Sequence, residues 1–236
     1  MDLKEELLIG EASGHWYYRA KLAALRLAIA KLPPGPILDV GSGSGFFARK
    51  LLESGQATEA TCVDPGYPAD SEEQVNGRPM RFRRRVGGSG ATLVLMMDVL
   101  EHVADDGALL AEYVARMPPG ACVLVTVPAF QALWSGHDVF LEHHRRYTLR
   151  EVERLLGAAG LQMELGCYFY AALLPLAAAA RLLDRWRRDD RPPRSHMQRF
   201  GRVTNAALDA VCRAELPLFR ANRMAGLSVF GLAVKP

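Results

Sequence analysis

ILDVGSGSGFF, residues 37–47, combines a short apolar run, three alternating glycines and the start of an amphipathic segment. This order is typical of a buried strand, a tight turn and a helix. Because the glycines at 41, 43 and 45 lack side chains, the backbone there can approach a ligand closely, and the following helix supplies unpaired N–H groups. The stretch therefore predicts a nucleotide-binding turn at the carboxyl end of a strand.

Two aspartates flank this turn and restrict the ligand. Asp39 lies two residues before the first glycine, where its charge would repel a pyrophosphate but would pair with an ammonium or sulfonium group. The pattern G-x-G-x-G also differs from the G-x-G-x-x-G of dinucleotide-binding folds. Asp64 ends the next predicted strand, 19 residues after Gly45, where a carboxylate can accept both hydroxyls of a ribose. We therefore expect a cationic nucleoside rather than a dinucleotide.

Strand and helix signals alternate along the rest of the chain. Residues 16–31 have the pattern of an amphipathic helix that ends at PPGP, and TLRE at 148–151 is a capping box that opens a later helix. The predicted strands are ILDV (37–40), TEATCVD (58–64), MRFRRRV (80–86), ATLVLMMD (91–98), ACVLVTVP (121–128), LQMELGCYF (161–169) and GLSVFGLAVKP (226–236). We place MRFRRRV at an edge because of its charges. The alternation predicts an α/β fold with a doubly wound, mostly parallel, seven-stranded sheet.

The 236 residues fit one domain with a helical decoration. The predicted parts are an N-terminal helical lid (1–33), a cofactor-binding core (34–167), a helical insertion (168–224) and the final strand (225–236). An apolar stretch in the insertion ends in four arginines and a tryptophan, which are Arg181, Arg185, Trp186, Arg187 and Arg188. Such a segment fits a lid over an apolar substrate, a homodimer contact or a membrane surface. A second helix at 199–219 is expected to pair with it as a cap.

Composition excludes several classes of protein. The net charge of +3 and the absence of an RNA-binding module give no reason to expect nucleic acid as a partner. The four cysteines form no CxxC pair and fit buried, reduced thiols. MDLKEELLIG at the N-terminus lacks the apolar run of a signal peptide, and the uncharged apolar run at 165–180 is too short to span a bilayer. We expect a cytoplasmic protein, with peripheral membrane association as the alternative.

Together these motifs resemble the class I S-adenosylmethionine-dependent methyltransferases. DVGSGSG looks like their first motif, VD at 63–64 like the second, MMDVLEHV at 96–103 like the end of the fourth strand, and MPPGACVLVTVP at 117–128 like the fifth-strand region. HWYYR at 15–19 and the loop HDVFLEHHRRYT are similar to a bacterial subgroup with an HWWFR-type N-terminus. The resemblance covers about residues 12–165 and the last strand. It implies a Rossmann-like fold with a helical cap inserted before the last strand, and S-adenosylmethionine as the cofactor, with S-adenosylhomocysteine as the product.

The resemblance also implies which residues bind the cofactor. Asp39 and the turn would hold its methionine part, Asp64 its ribose, and Asp98 with its neighbours the methyl-donor pocket. The full expected set is Asp39, Gly41, Ser42, Gly43, Gly45, Asp64, Pro65, Met97, Asp98 and Val99. The family usually has an acidic residue after the third strand that reaches the adenine, but no Asp or Glu lies between Arg81 and Met97. The adenine contact is therefore expected from backbone or an amide.

SGHDVFLEHHRRYT, residues 135–148, follows the fifth strand at the end of the sheet where α/β proteins bind ligands. His137 beside Asp138 fits a general base, and the alternative is that either residue hydrogen-bonds the loop or contacts the cofactor carboxylate. The catalytic candidates are His137, Asp138, His143 and Tyr147. Arg145 and Arg146 fit either an anion-binding pair or a solvated helix start.

Two further features of this region leave alternatives open. Glu101-His102, just past the fourth strand, fits a base, a helix start or a cofactor contact. Potential metal-ligating atoms occur in His137, Asp138, Glu142, His143 and His144. Methyl transfer from a sulfonium needs no Lewis acid, so we expect no metal. The aromatic residues that fit either a lid over the cofactor or core packing are Trp16, Tyr17, Tyr18 and Trp134.

The predicted function is in-line methyl transfer from S-adenosylmethionine to an apolar small-molecule or lipid-like acceptor. One alternative is methylation of a protein, a peptide or RNA. The other is a non-catalytic module that binds S-adenosylmethionine.

Overall fold

A computed structural model describes residues 12–87, 90–186 and 200–236. The expectation about a signal peptide depends on the first ten residues, which lie outside this part of the chain. The basic residues from 187 to 194 and the side chains of Arg185 and Trp186 also lie outside it. The helices are α1 (Trp16–Ala28), α2 (Phe46–Glu53), α3 (Asp106–Arg116), α4 (Gly136–Phe140), α5 (Leu149–Ala158), α6 (Leu174–Trp186) and α7 (Arg202–Glu215). The strands are β1 (Gly35–Val40), β2 (Ala57–Val63), β3 (Ser71–Val75), β4 (Arg78–Arg83), β5 (Leu93–Met97), β6 (Cys122–Pro128), β7 (Gln162–Phe169) and β8 (Ser228–Val234).

The strands form one sheet in the order β3-β4-β2-β1-β5-β6-β8-β7. Five neighbouring strands, β4, β2, β1, β5 and β6, are parallel to one another. Strand β3 is antiparallel to β4, and β8 lies between β6 and β7 and is antiparallel to both. Val40, at the end of β1, pairs with Val63 of β2 and Met96 of β5. The carboxyl ends of β1, β2 and β5 therefore meet at one edge. The predicted mostly parallel, doubly wound sheet is confirmed.

The sheet has eight strands where the sequence predicted seven, because β3 and β4 form a hairpin. Asn76 and Gly77 make the turn, and both have positive φ angles, of 51° and 74°. This matches the preference of Asn-Gly for tight hairpin turns. Placing the charged strand at the edge was wrong, since β3 covers it. Arg81 of β4 lies 2.6 Å from Glu59 Oε2 of β2 and 3.5 Å from Glu72 Oε2 of β3, so acidic neighbours match its charge.

Both faces of the sheet are covered by helices, as a doubly wound fold requires. On one face, α1 and α2 bury residues such as Leu25 and Leu51. On the other face, α3 and α5 bury residues such as Leu110 and Leu156. The four cysteines are free and buried, as the sequence predicted, in strands β2, β6 and β7 and in helix α7. No helix in the described part of the chain has the length and apolar character needed to cross a bilayer.

The helical insertion closes against the N-terminal helix. The Trp16 N–H donates to Asn205 Oδ1 at 2.9 Å, and Asn205 Nδ2 donates to the Gly14 carbonyl at 2.8 Å. Arg19 of α1 also forms an ion pair with the buried carboxylate of Asp209. The sequence predicted that α7 would pair with α6, whereas these contacts attach α7 to α1. The N-terminal helix and the insertion are thus parts of one cap.

Candidate active site

The glycine turn joins β1 to α2 in a conformation that requires glycine. Gly41, Gly43 and Gly45 have φ angles of 61°, 55° and 74°, which residues with a Cβ rarely adopt. A Cβ at Gly41 would lie 2.8 Å from Val99 Cγ2, and one at Gly45 would collide with Met80 Cε. Packing alone thus explains part of the glycine pattern. The case for a ligand at this turn depends on the charged groups beside it.

Two carboxylates flank the turn, as the sequence predicted. Asp39 is buried within β1. Asp64, directly after β2, accepts the Gly43 N–H at 3.2 Å through Oδ2 and the Gly66 N–H at 2.8 Å through Oδ1. Carboxylate oxygens retain further lone pairs after one such bond each, so Asp64 can still accept ribose hydroxyls. The group of carboxylates and N–H donors fits a nucleoside that carries a positive charge.

Tyr67 also contacts the turn, and sequence reasoning missed it. Its hydroxyl lies 2.7 Å from Ser42 Oγ and donates to the Gly43 carbonyl at 2.7 Å. Burial raises the pKa of Tyr67, so the phenol stays neutral and donates. An aromatic residue three positions after the second acidic motif was the available signal.

The remaining expected cofactor-binding residues lie near the turn. Met97 ends β5, Val99 contacts Gly41, and Pro65 is exposed beside Asp64.

Asp98 lies at the end of β5 within a buried polar group. Thr126 Oγ1 donates to Asp98 Oδ1 at 2.9 Å, and the Tyr17 hydroxyl donates to Oδ2 at 3.2 Å. The ammonium group of Lys21 forms an ion pair with the same carboxylate. Burial by itself would raise the pKa of Asp98, but the Lys21 charge and these hydrogen bonds hold it below its ordinary value. Asp98 is therefore a carboxylate fixed in one orientation.

Lys21 is the second site residue that sequence reasoning missed. Its side chain is fully buried. Tyr18, Lys21 and Leu25 follow the i, i+3, i+7 spacing of the buried face of α1. A lysine in that apolar stripe signals a buried partner, since an unpaired buried ammonium is costly.

A cavity of about 610 Å³ opens next to Asp98. Its walls are mostly apolar and come from α1 and the insertion, and include Trp16, Tyr18, Leu173, Ala177 and Leu208. Its floor is polar and consists of Asp98, Glu101, His102, His137, His143 and Arg146. The turn itself is not among the described lining residues, but Val99, next to Asp98, contacts Gly41. The cavity and the nucleotide turn are therefore adjacent.

The aromatic residues of α1 connect these two sites. Tyr18 packs edge-on against Phe46, the first residue of α2 after the turn, with ring centroids 5.5 Å apart. Tyr17 stacks on Tyr170 at 5.4 Å, and the Tyr170 hydroxyl donates to the Tyr17 carbonyl at 2.8 Å. Trp16 lies in the same wall of the cavity, whereas Trp134 is not among the described lining residues. These contacts fit the lid interpretation for the α1 residues.

In the loop at 135–148, Asp138 is fully buried and hydrogen-bonds other residues of the same loop, which was the alternative drawn from the sequence. Arg146 holds it with two bonds, from Nε to Oδ1 at 2.6 Å and from Nη2 to Oδ2 at 3.0 Å. His143 Nδ1 lies 3.0 Å from Oδ1, and the Ser135 N–H donates to Oδ2 at 2.8 Å. Burial alone would raise the pKa of Asp138, but these bonds hold it well below its ordinary value. Asp138 is a positioning residue, and the histidine that it orients is His143.

The expected pairing of His137 with Asp138 was based on their adjacency in the sequence. Adjacent residues on a helix project about 100° apart, and both lie on α4, so they face different groups. His137 lines the cavity, whereas Asp138 faces Arg146. Arg146 is itself buried, so the solvated interpretation is wrong for it, and the anion that it binds is the Asp138 carboxylate of the same loop.

Tyr147 lies away from the cavity. Its hydroxyl donates to Asp106 Oδ2 at 2.7 Å, and Arg145 Nη1 lies 3.3 Å from the other oxygen of Asp106. Tyr147 is buried in the core cluster beneath α3 and α5, and it is not among the described residues that line the cavity. The structure therefore supports a packing role for Tyr147 instead of the predicted catalytic role.

Glu101 and two histidines form the deepest part of the polar floor. Glu101 is 1% exposed, and its Oε2 has no hydrogen-bond partner among the described residues. Burial, followed by the charge of Asp98, raises the pKa of Glu101 well above its ordinary value. The rings of His102 and His143 meet edge-on, with centroids 4.6 Å apart. The floor thus offers groups that can bind a polar atom and exchange a proton.

Comparisons with known proteins agree with this geometry. The model of a family described as "Methyltransferase domain" matches residues 14–165. A protein of Mycolicibacterium gilvum, named as an uncharacterized methyltransferase, is 27% identical over 131 residues, which cover 50% of this chain and 51% of that protein. The chain thus spans about half the length of the curated relatives that it matches.

Solved structures are similar in fold. A putative methyltransferase from Bacillus halodurans aligns over 91% of this chain and 98% of its own, with a TM-score of 0.54 and 14% identity. The Haemonchus contortus phosphoethanolamine N-methyltransferase 2, solved with S-adenosyl-L-methionine, aligns over 90% of this chain and 52% of its own, with a TM-score of 0.52 and 16% identity. At these identities the likeness concerns the fold alone.

Proposed function

The chain belongs to the methyltransferase-domain family, whose cofactor is S-adenosylmethionine, and on that premise we propose that it methylates an apolar small-molecule or lipid-like acceptor. The observation that carries the proposal is the cavity of about 610 Å³, with apolar walls and a polar floor beside Asp98. A volume of this size is in the range of small-molecule sites. A polar acceptor of protein or RNA would leave the apolar walls without a partner.

The residues at the turn fit the cofactor. We propose that Asp39 and the N–H groups of the turn hold its methionine part and that Asp64 accepts its ribose hydroxyls. S-adenosylmethionine supplies a methyl group activated by a sulfonium charge. Asp98 extends this site toward the cavity, because Val99 next to it contacts Gly41.

The chain's own contribution is to exclude water and to position the acceptor. The helices α1, α6 and α7 surround the apolar part of the cavity, which leaves the acceptor's polar atom at the floor. His137 and His143 face that position, and an imidazole can take a proton from a hydroxyl or an amine near neutral pH. Asp138 fixes the ring of His143 through Nδ1.

The cofactor part of the proposal predicts the effect of Asp64→Asn. The amide loses the charge that binds ribose hydroxyls, so the affinity for S-adenosylmethionine should fall about 10-fold or more. Isothermal titration calorimetry measures the affinity. Asp70→Asn is the matched control, because Asp70 is exposed in the same loop and should leave the affinity unchanged. Equal affinity of both variants and the wild type would refute the assignment.

The acceptor part is tested with S-adenosylmethionine labelled in the methyl group and with fractionated cell extract. Label in apolar small molecules or lipids, identified by mass spectrometry, is the expected result. Label confined to protein or RNA would overturn the proposed acceptor class, and the absence of transfer to any fraction would favour a non-catalytic binding module.

Exposed Leu182 and Leu183 on α6 agree with the predicted contact with a membrane or a second copy, which stays a prediction.

A further inference from the structure

Glu101, His102 and His143 bring three metal-binding atoms together on the floor of the cavity. One carboxylate oxygen and one nitrogen from each imidazole lie within 4.8 Å of one another. Residues from two separate segments contribute, since Glu101 and His102 follow β5 and His143 follows α4. A single ion could therefore contact all three side chains after small rotations of each.

The surroundings of Glu101 indicate a missing partner. The side chain is almost fully buried, yet Oε2 has no hydrogen-bond partner in the described part of the chain. Buried polar atoms are nearly always satisfied in native structures, so such an atom calls for an explanation. It belongs to a residue that lines the cavity, where a cation beside the two histidines would satisfy it.

The hydrogen bonds of His143 have the arrangement of a metal ligand. Its Nδ1 lies 3.0 Å from Asp138 Oδ1, and Arg146 holds the same carboxylate from the other side. A ligating histidine typically uses one nitrogen for a carboxylate and the other for the metal, and the carboxylate fixes the tautomer and the ring. Asp138 leaves Nε2 of His143 as the ligating atom, so with an ion bound the proton acceptor of the proposed transfer would be His137.

We propose that Glu101, His102 and His143 bind one divalent first-row transition-metal ion, such as Zn²⁺, Mn²⁺ or Fe²⁺. Two imidazoles and one carboxylate suit these ions, whereas Mg²⁺ and Ca²⁺ prefer ligand sets made of oxygen. Three protein ligands beside a cavity leave coordination positions open, as in catalytic sites rather than structural ones. This proposal replaces the expectation, drawn from the sequence, that the chain binds no metal.

An open position on the ion would also define the acceptor more closely. An acceptor oxygen could complete the coordination while its apolar part fills the walls of the cavity. A coordinated oxygen keeps a lone pair for the methyl group, whereas an amine would give its only lone pair to the ion, so hydroxyl-bearing acceptors are favoured over amines. This extension rests on the proposed methyl transfer, whereas the metal site itself does not.

Metal binding is tested without cofactor or acceptor, so its outcome is independent of methyl transfer. Chelator-treated protein is titrated with Zn²⁺ in a calorimeter and with Co²⁺ in a spectrophotometer, which reports the ligand environment through its visible absorption. One equivalent is expected to bind to the wild type. In Glu101→Gln and His143→Gln the affinity is expected to fall about 100-fold or more. His144→Gln is the matched control, since this neighbouring histidine is exposed and outside the cluster.

A second measurement uses the wild type alone and does not depend on the folding of any variant. Zn²⁺ should protect His102 from modification by diethyl pyrocarbonate, read by peptide mass spectrometry, while exposed His144 stays reactive as an internal control. The proposal is overturned by a wild type that binds no Zn²⁺ or Co²⁺, by full affinity in either site variant, or by equal modification of His102 with and without Zn²⁺.

Discussion

The ion pair between buried Lys21 and partly exposed Asp98 links α1 to the end of β5. Lys21 also donates to the Tyr17 hydroxyl at 2.9 Å, so both its charge and its hydrogen bonds are used inside the protein. Breaking such a pair leaves an uncompensated charge in the interior, which costs more than the pair itself contributes. This contact joins α1 to the sheet, beside the contacts of α1 with α7 and with Tyr170.

Lys21→Met should destabilise the fold by about 3 kcal/mol or more, because it leaves Asp98 without its ammonium partner. Urea unfolding measures the free energy of unfolding. The double variant Lys21→Met with Asp98→Asn should recover part of the loss, since neither charge is then buried. Lys50→Met, which removes a surface lysine paired with Glu53, is the control and should cost little. Equal costs for the two lysines would refute the role of the pair.

The sequence predicted the residues of the candidate site better than it predicted their partners. Asp64 and Asp98 were chosen as candidates because each follows a buried strand, and strand ends are visible in the pattern; their roles in binding the cofactor stay predictions. Lys21 was missed because a lysine on an amphipathic helix is ordinarily solvated. The partner of Asp138 was misassigned because adjacency on a short helix does not bring side chains together. Contacts between distant segments, such as Glu101 with His143, have no local signal.

At the level of elements, local signals were accurate where a short motif decides the conformation. The capping box of α5 is present, with the Thr148 N–H bonded to Glu151 Oε2 at 2.6 Å. The edge strand β3 was missed because SEEQV has few apolar residues, and its stability comes from pairing with β4 through the Asn-Gly turn. The order of the strands in the sheet was not predicted, because no local pattern specifies which strands pair.

Thr148→Ala should lower the free energy of unfolding by about 1 kcal/mol, because the hydroxyl accepts the Glu151 N–H at 3.4 Å and also bonds its carboxylate. Thr148→Ser keeps the hydroxyl and should retain most of the stability. Thermal or urea unfolding of the three proteins distinguishes them. A serine variant that loses as much as the alanine variant would show that the methyl group of Thr148 matters rather than the cap.

For the molecule as a whole, the described cap encloses the cavity with segments from both ends of the chain. Helix α1 and helix α7 meet through Asn205 and Asp209, and α6 completes the wall. All four cysteines are buried as well, three in the sheet and one in α7. Burial raises the pKa of Cys167 and of Cys212 to about 12 each, so at neutral pH both remain thiols.

The native protein should therefore react slowly with a thiol reagent at pH 8. Less than one equivalent is expected within minutes, since the thiolate is the reactive form and none of the four sulfur atoms is exposed. Unfolding in guanidinium should release all four. A fast equivalent in the native protein would show that at least one of these cysteines is accessible, contrary to the packing described.

The position of β8 has a consequence for synthesis on the ribosome. β8 lies between β6 and β7, although about 60 residues separate its start from the end of β7. As the nascent chain emerges, β6 therefore presents an open edge, and β7 has no neighbour to pair with until the last strand arrives. Translation speed and chaperone supply during that interval should affect the soluble yield more than changes in the cofactor site do.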